Sequence, residues 1–170
     1  MRRGGGSGRP VRLRSDLPVP VRHHALVSKP AGNVASAREV VEELFRRRAA
    51  GDASVIDDLI AEDMVNHAAG PQGREGWKQI IAIIQRDLGD ATIEHHHFVG
   101  DGDIVAHHMT MHGRHLASTM PLLDGIPVTG EPVAWTYIHL WRVADGKVVE
   151  HWACRDDVGL LRQVGAWPPR

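Results

Sequence analysis

Cysteine is almost missing from these 170 residues: Cys154 stands alone. An intrachain disulfide is therefore excluded, which suits a reducing compartment. Charge of one sign is not in excess either, the formal net charge being −1. The basic residues concentrate at the start, where Arg2, Arg3, Arg9, Arg12, Arg14, Arg22 and Lys29 face Asp16 alone. From residue 36 onward acidic residues outnumber basic ones, so a nucleic-acid partner has little electrostatic support. No apolar run approaches transmembrane length. Arg2-Arg3 opens like a secretory n-region, but prolines, glycines and charges interrupt every window up to Pro30, so no h-region follows. Gly4 to Gly8 precede no strand–helix unit, and phosphate cradling is unsupported. Together these absences predict a soluble cytoplasmic protein with neither nucleic-acid nor membrane partner.

What is present divides near Ser36. Residues 1–35 are rich in Gly, Pro and Arg without periodicity and are expected to form a disordered, solvated basic leader. Order begins at Ser36, which with Glu39 makes a capping box ahead of Val40, Val41, Leu44 and Phe45 at helical spacing. Gly51 ends that helix, and Asp52 can cap a second whose apolar side is Val55, Ile56, Leu59 and Ile60. A short extended piece at Met64 to His67 leads into a loop over residues 68–73. Trp77, Ile80, Ile81, Ile84 and Leu88 then form the stripe of a third helix. After Gly89 the period changes to two: strands over 92–99, 104–115, 132–144 and 147–156, with a Pro- and Gly-punctuated loop at 116–130. A last helical turn or two runs from Val158 to Val164. Three helices followed by antiparallel strands give one α+β domain, the helices packed across one face of a curved sheet.

Asp145-Gly146 is a two-residue turn signal. Continuing the pairing outward with a constant index sum sets Trp141 against Glu150, His139 against Trp152, Tyr137 against Cys154 and Trp135 against Asp156. All eight then share one face. A carboxyl among indoles would have its pKa raised by desolvation, the condition for acid/base work on a proton alpha to a carbonyl. The competing reading makes Asp156 the cap of the helix starting at Val158.

In the strand from Ile104, alternation places Val105, His107, Met109, Met111 and His115 on the pocket face. With His139 this offers imidazoles able to polarise carbonyls or shuttle protons. Each could equally be a polar bystander. His67 follows Asn66 toward the same cavity, where it could also be merely structural. Tyr137, the only tyrosine, could bond an enolate. A metal site is not expected: alternate members of His95-His96-His97 face opposite ways, and His107 and His115 lie too far apart on one strand to share an ion. A lone buried cysteine usually serves as a small apolar side chain, which argues against Cys154 as nucleophile.

Three segments together resemble the SnoaL-like polyketide cyclases of the nuclear-transport-factor-2-like superfamily. They are Asp63-Met64-Val65-Asn66-His67 with Gly70-Pro71-Gln72-Gly73-Arg74-Glu75-Gly76, then Gly125-Ile126-Pro127-Val128-Thr129-Gly130, and Asp145 to Trp152 through Gly159 to Gly165. The likeness runs from Ser36 to Ala166, leaving 167–170 as a tail. It implies a cone-shaped α+β fold around a deep apolar pocket, and an intramolecular aldol cyclisation needing no metal or organic cofactor. By position the family's acid matches Asp156, with strand parity turning Asp157 outward. The reading is thus a cyclase or related lyase/isomerase taking an apolar polyketide-like or ester small molecule. Asp156, His139 and His107 would be catalytic, and His67, Trp135, Tyr137, Trp152, Met109, Met111 and His115 would hold the substrate. On this reading Asp156→Asn loses turnover while keeping affinity. Two rivals are a non-catalytic binding or dimerisation module on the same fold and an epoxide hydrolase. The latter needs a second pocket acid near an arginine, and Arg155 and Asp157 offer those types on the wrong parity. Thr136, Ile138 and Leu140 make the outer sheet face apolar enough to predict a homodimer.

Overall fold

A computed structural model describes residues 35–89 and 91–168; the leader, apart from Ala35, and the last two residues of the tail lie outside the described residues. The elements run α1 (Ala37–Ala49), α2 (Val55–Leu59), β1 (Ile60–Asn66), α3 (Gly73–Leu88), β2 (Thr92–Asp101), β3 (Ile104–Arg114), β4 (Pro132–Ala144), β5 (Lys147–Arg155) and α4 (Asp157–Gln163). The fold is α+β, with five strands in the order β1-β5-β4-β3-β2.

Local chemistry sets the helix starts. Ser36 and Glu39 form the reciprocal capping box of α1, and the helix buries Ala37, Val40, Val41, Leu44 and Phe45. Asp52 does not cap α2 itself. It accepts from the amide and hydroxyl of Ser54, the N-cap residue, and so braces the turn before the helix. Gly76, in the first turn of α3, lies where an added Cβ would meet the Pro71 carbonyl carbon at 2.6 Å. Only glycine lets that helix approach the 67–72 loop so closely.

The sheet is not wholly antiparallel. β1 begins at Ile60, earlier than its apolar pattern suggests, and pairs in parallel with β5 at one edge. β3 and β4 pair without a break from Ile104 opposite Arg142 to Arg114 opposite Pro132. The hairpin at Asp145-Gly146 has both residues at positive φ, 50° and 74°, the geometry a two-residue turn demands.

The pairing beyond that turn departs from the constant index sum. Ala144 faces Lys147 and Val143 faces Val148, but Arg142 then faces Glu150, leaving Val149 as a bulge. From there every β5 side chain changes face relative to the simple register. His151, Ala153 and Arg155 now stand opposite Trp141, His139 and Tyr137, while Glu150, Trp152 and Cys154 face outward. The energetic reason is the Glu150 carboxylate. Unbulged, it would be buried among indoles at a cost of several kcal/mol; outside, it meets Arg142 Nε at 2.8 Å and His67 Nε2 at 2.8 Å.

The 115–131 segment closes one end of the sheet and is tied down by a fully buried acid. Asp87 accepts from the amides of Thr119 and Met120, both at 2.7 Å, and from the Thr119 hydroxyl at 2.5 Å. Desolvation pushes this carboxyl up, but those bonds and Arg86 outweigh it and hold the pKa below the ordinary value. His115 clamps the same segment from beneath, bonded to Ser118 Oγ at 2.8 Å and Thr129 Oγ1 at 3.2 Å.

Candidate active site

Between α3, the inner sheet face and the 115–131 segment lies a cavity of about 290 Å³. One wall is the α3 stripe: Trp77 is buried, whereas Ile80, Ile81, Ile83 and Ile84 stay partly exposed because they face the hollow. The opposite wall is Met109, Met111, Trp135, Tyr137 and His139, and Met120, Pro121 and Leu122 close the end. Polar groups are few. They are Arg48, Asn66, Tyr137, His139, His151 and Arg155, with no carboxylate among the lining residues.

Three of these groups form a chain whose proton positions follow from one amide. The Ala68 N–H donates to Asn66 Oδ1 at 3.1 Å, while Asn66 Nδ2 donates to the Pro71 carbonyl at 3.3 Å. The side-chain amide therefore has a fixed orientation. Asn66 Oδ1 lies 3.0 Å from His151 Nδ1, which must then be the donor. Neutral His151 is left with a lone pair on Nε2, 2.7 Å from His139 Nδ1. His139 donates there in turn, so its own lone pair sits on Nε2, which makes no hydrogen bond within the described residues. Gln72 holds the start of the chain by bonding both the amide and carbonyl of Asn66 at 2.8 Å. That explains the Asn66 to Gly73 motif as a brace.

Both imidazoles are kept neutral by their surroundings. Burial takes His139 well below its ordinary 6.5, helped by neighbouring His151. Burial likewise pushes His151 down to about 3. The rings are walled by aromatics: Tyr137 stacks on His139 at 5.0 Å, Trp141 lies 4.4 Å from His151, and Trp77 meets His151 edge-on at 4.8 Å. Tyr137 is a phenol whose pKa is raised by burial, so it remains a donor. Its hydroxyl and the indole nitrogens of Trp135 and Trp77 are buried without protein partners among the described residues. These three donors lie just under the cavity wall, and the His139 Nε2 lone pair is its one basic nitrogen.

Half of the residues expected here line the cavity and half do not. Trp135, Tyr137, His139, Met109 and Met111 do. Asp156 does not: it is exposed, and its Oδ1 accepts from the Gly159 amide at 2.8 Å as the N-cap of α4. Trp152 lies on the outer face, stacked on His67 at 4.4 Å, and His67 is bonded to Glu150. Both follow from the bulge at Val149. His107 has the expected face but lies beneath Phe45 and Phe98, with ring centroids at 4.6 and 4.1 Å, and pairs with His95 at 2.9 Å. His115 is spent on the 115–131 segment. The parity assigned to Arg155 also reverses, since it lines the cavity and its guanidinium lies 5.2 Å from the Trp135 ring centre. Asp157 is its ion-pair partner at 3.0 Å but does not line the cavity. The pair of pocket acids that epoxide hydrolysis requires is therefore missing from the lining. Sequence reasoning overlooked Asn66, His151 and Arg48. The signal available for His151 was the charge of its neighbour Glu150, a poor core residue whose outward turn brings His151 in.

Among the described residues no group of three or more His, Cys, Asp or Glu is arranged to hold a metal. Nor is any helix there long and apolar enough to cross a membrane.

A helix-walled hollow on a curved sheet, closed by one loop segment, has the concave, mostly apolar form common to small-molecule sites. The chain belongs to the SnoaL-like polyketide cyclase family, whose model matches residues 33–164. It is 27% identical over 124 residues to the nogalonic acid methyl ester cyclase of Streptomyces nogalater, covering 69% of this chain and 90% of that one. It is 34% identical over 116 residues to the aklanonic acid methyl ester cyclase DauD of Streptomyces sp. (strain C5), covering 67% of this chain and 70% of the relative. Among solved structures, wild-type IdmH from Streptomyces antibioticus superimposes with a TM-score of 0.66 at 32% identity, over 77% of this chain and 99% of that one.

Proposed function

We propose that this protein is a cofactor-independent cyclase closing a ring by intramolecular aldol condensation on a largely apolar carbonyl or ester compound. His139 is its acid/base. The observation that carries the reading is the Asn66–His151–His139 chain, which leaves the His139 Nε2 lone pair as the basic group of the cavity. The names of the curated relatives, both methyl ester cyclases, support the reaction class.

In the first step His139 Nε2 takes a proton alpha to a carbonyl. The enolate oxygen receives hydrogen bonds from Tyr137 O–H and Trp135 Nε1–H, unpartnered donors in the cavity wall that turn toward it as charge develops. The enolate carbon then attacks a second carbonyl carbon of the same molecule, forming the ring bond. The resulting alkoxide takes the proton back from His139, so no net proton is consumed. An imidazole this reluctant to ionise becomes cationic only when an anion forms beside it. Proton abstraction and enolate stabilisation are thereby coupled. Asp156 has no chemical role in this scheme.

A non-catalytic ligand-binding module is the second reading, favoured by the lack of any carboxylate among the lining residues. His139→Gln separates the two. Proton transfer by a positioned side chain contributes about 10²–10⁴-fold, so turnover of a polyketide methyl ester should fall by that factor while binding stays within about threefold. A wild-type protein that binds such an ester without turning it over, or a variant with unchanged turnover, supports the binding module instead. We further propose that the outer sheet face pairs with a second copy of the chain.

A further inference from the structure

Arg48 occupies a place on α1 where an apolar residue belongs. It lies three residues after Phe45, four after Leu44 and seven after Val41, on the stripe the helix buries. Its neighbours Arg46 and Arg47 point elsewhere and are paired, the first with Glu43 and the second with Asp52 and Asp58. Arg48 lines both this cavity and an adjoining cleft, and its guanidinium has no hydrogen bond or ion pair within the described residues. Burial lowers its pKa, and no neighbouring acid offsets the effect. The carboxylates of the adjoining shallow cleft are already engaged, Asp52 by Arg47 and Ser54 and Asp57 by Lys78 and Arg74. The second guanidinium of the cavity, Arg155, has Asp157.

A half-buried guanidinium without a counter-charge is costly in so apolar a setting, unless the cavity's ligand brings one. Ketone and ester oxygens would satisfy Trp77, Trp135 and Tyr137, yet none neutralises a cation. A carboxylate does, and its two oxygens match the planar fork of the guanidinium. We infer that Arg48 is an anion-recognition residue, and that the cavity's ligand carries a free carboxylate, which docks there while the carbonyl-bearing part lies along Tyr137 and His139. This rests on the reading of the hollow as a carbonyl-compound site and adds the charge of its substrate.

Binding of 2-naphthoate and of methyl 2-naphthoate to the full chain by titration calorimetry at pH 7.5 tests the assignment. Wild type should prefer the acid by about tenfold or more, the scale of one charge-assisted bond. Arg48→Gln should abolish that preference while the ester still binds within about twofold, and Arg155→Gln should preserve it. Equal binding of acid and ester by wild type overturns the proposal while leaving the apolar carbonyl site standing. So does a preference that survives Arg48→Gln or vanishes only in Arg155→Gln. Binding of neither probe by wild type overturns the carbonyl-site reading and the proposal with it. If Arg48→Gln loses the ester as well, Arg48→Lys decides: it keeps the charge without the fork, and should retain a weakened acid preference. No preference there overturns the assignment.

Discussion

Asn66 Oδ1 receives two hydrogens, from the Ala68 amide and from His151, and that pair of donors decides which nitrogen of His139 is left basic. Residues on uninterrupted strands were legible beforehand. Trp135, Tyr137 and His139 alternate regularly along β4, as do Met109 and Met111 along β3, and both strands pair without a break. His107 shares their face but not the cavity, since parity tells which side a residue takes and not what covers it. Phe45 and Phe98 cover this one. Asp156 illustrates a rivalry that local chemistry won: a carboxylate one residue before a helix is satisfied by that helix's amides. Removing it should therefore cost stability and not chemistry. Asp156→Ala is expected to lower unfolding free energy by about 1 kcal/mol, a typical cap loss, with turnover within twofold of wild type. Urea denaturation with parallel activity assays checks both, and a large drop in turnover at unchanged stability would reinstate Asp156 as an acid/base.

At the scale of elements, the bulge at Val149 has the widest consequences, because a single inserted residue turns Glu150, Trp152 and Asp156 away from the site and brings His151 and Arg155 in. Turn residues reveal a hairpin and its first pairs; they carry no information about a register change beyond the turn. The charge of Glu150 was the available hint, since a carboxylate between two indole-bearing positions is a poor core residue. On the outer face of β4, Ile138 is 49% and Leu140 39% exposed. If a second copy covers it, light scattering at micromolar concentration should give twice the chain mass, and Ile138→Glu should return the monomer. A wild-type monomer under those conditions contradicts the pairing.

For the molecule as a whole, the change of period near Gly89 was enough to fix the α+β class and the helix-covered sheet. The parallel edge strand was not foreseeable, since β1 finds its partner through contacts distant in the chain. The same core that makes the cavity water-poor makes the fold sensitive to acid. His107 and His151 are both pushed down to about 3 by burial, and His139 lies well below the ordinary 6.5 for the same reason. Unfolding frees all three to take protons near that ordinary value. Between the two values the unfolded state binds more protons, so stability is complete above pH 6.5 and drains away as pH falls toward 3. Each group contributes up to about 1.4 kcal/mol per pH unit, or about 4 together. The urea midpoint should accordingly be markedly lower at pH 5.0 than at 7.5; equal midpoints would mean that these rings do not stay neutral in the fold.

Nitrogen-15 NMR of histidine-labelled protein, with His139 and His151 assigned by substitution, reaches the central claim most directly. The account predicts that between pH 5.5 and 7.5 both rings are neutral and carry their hydrogen on Nδ1, leaving His139 Nε2 unprotonated. An imidazolium at either position in that range, or a hydrogen on His139 Nε2, would contradict it.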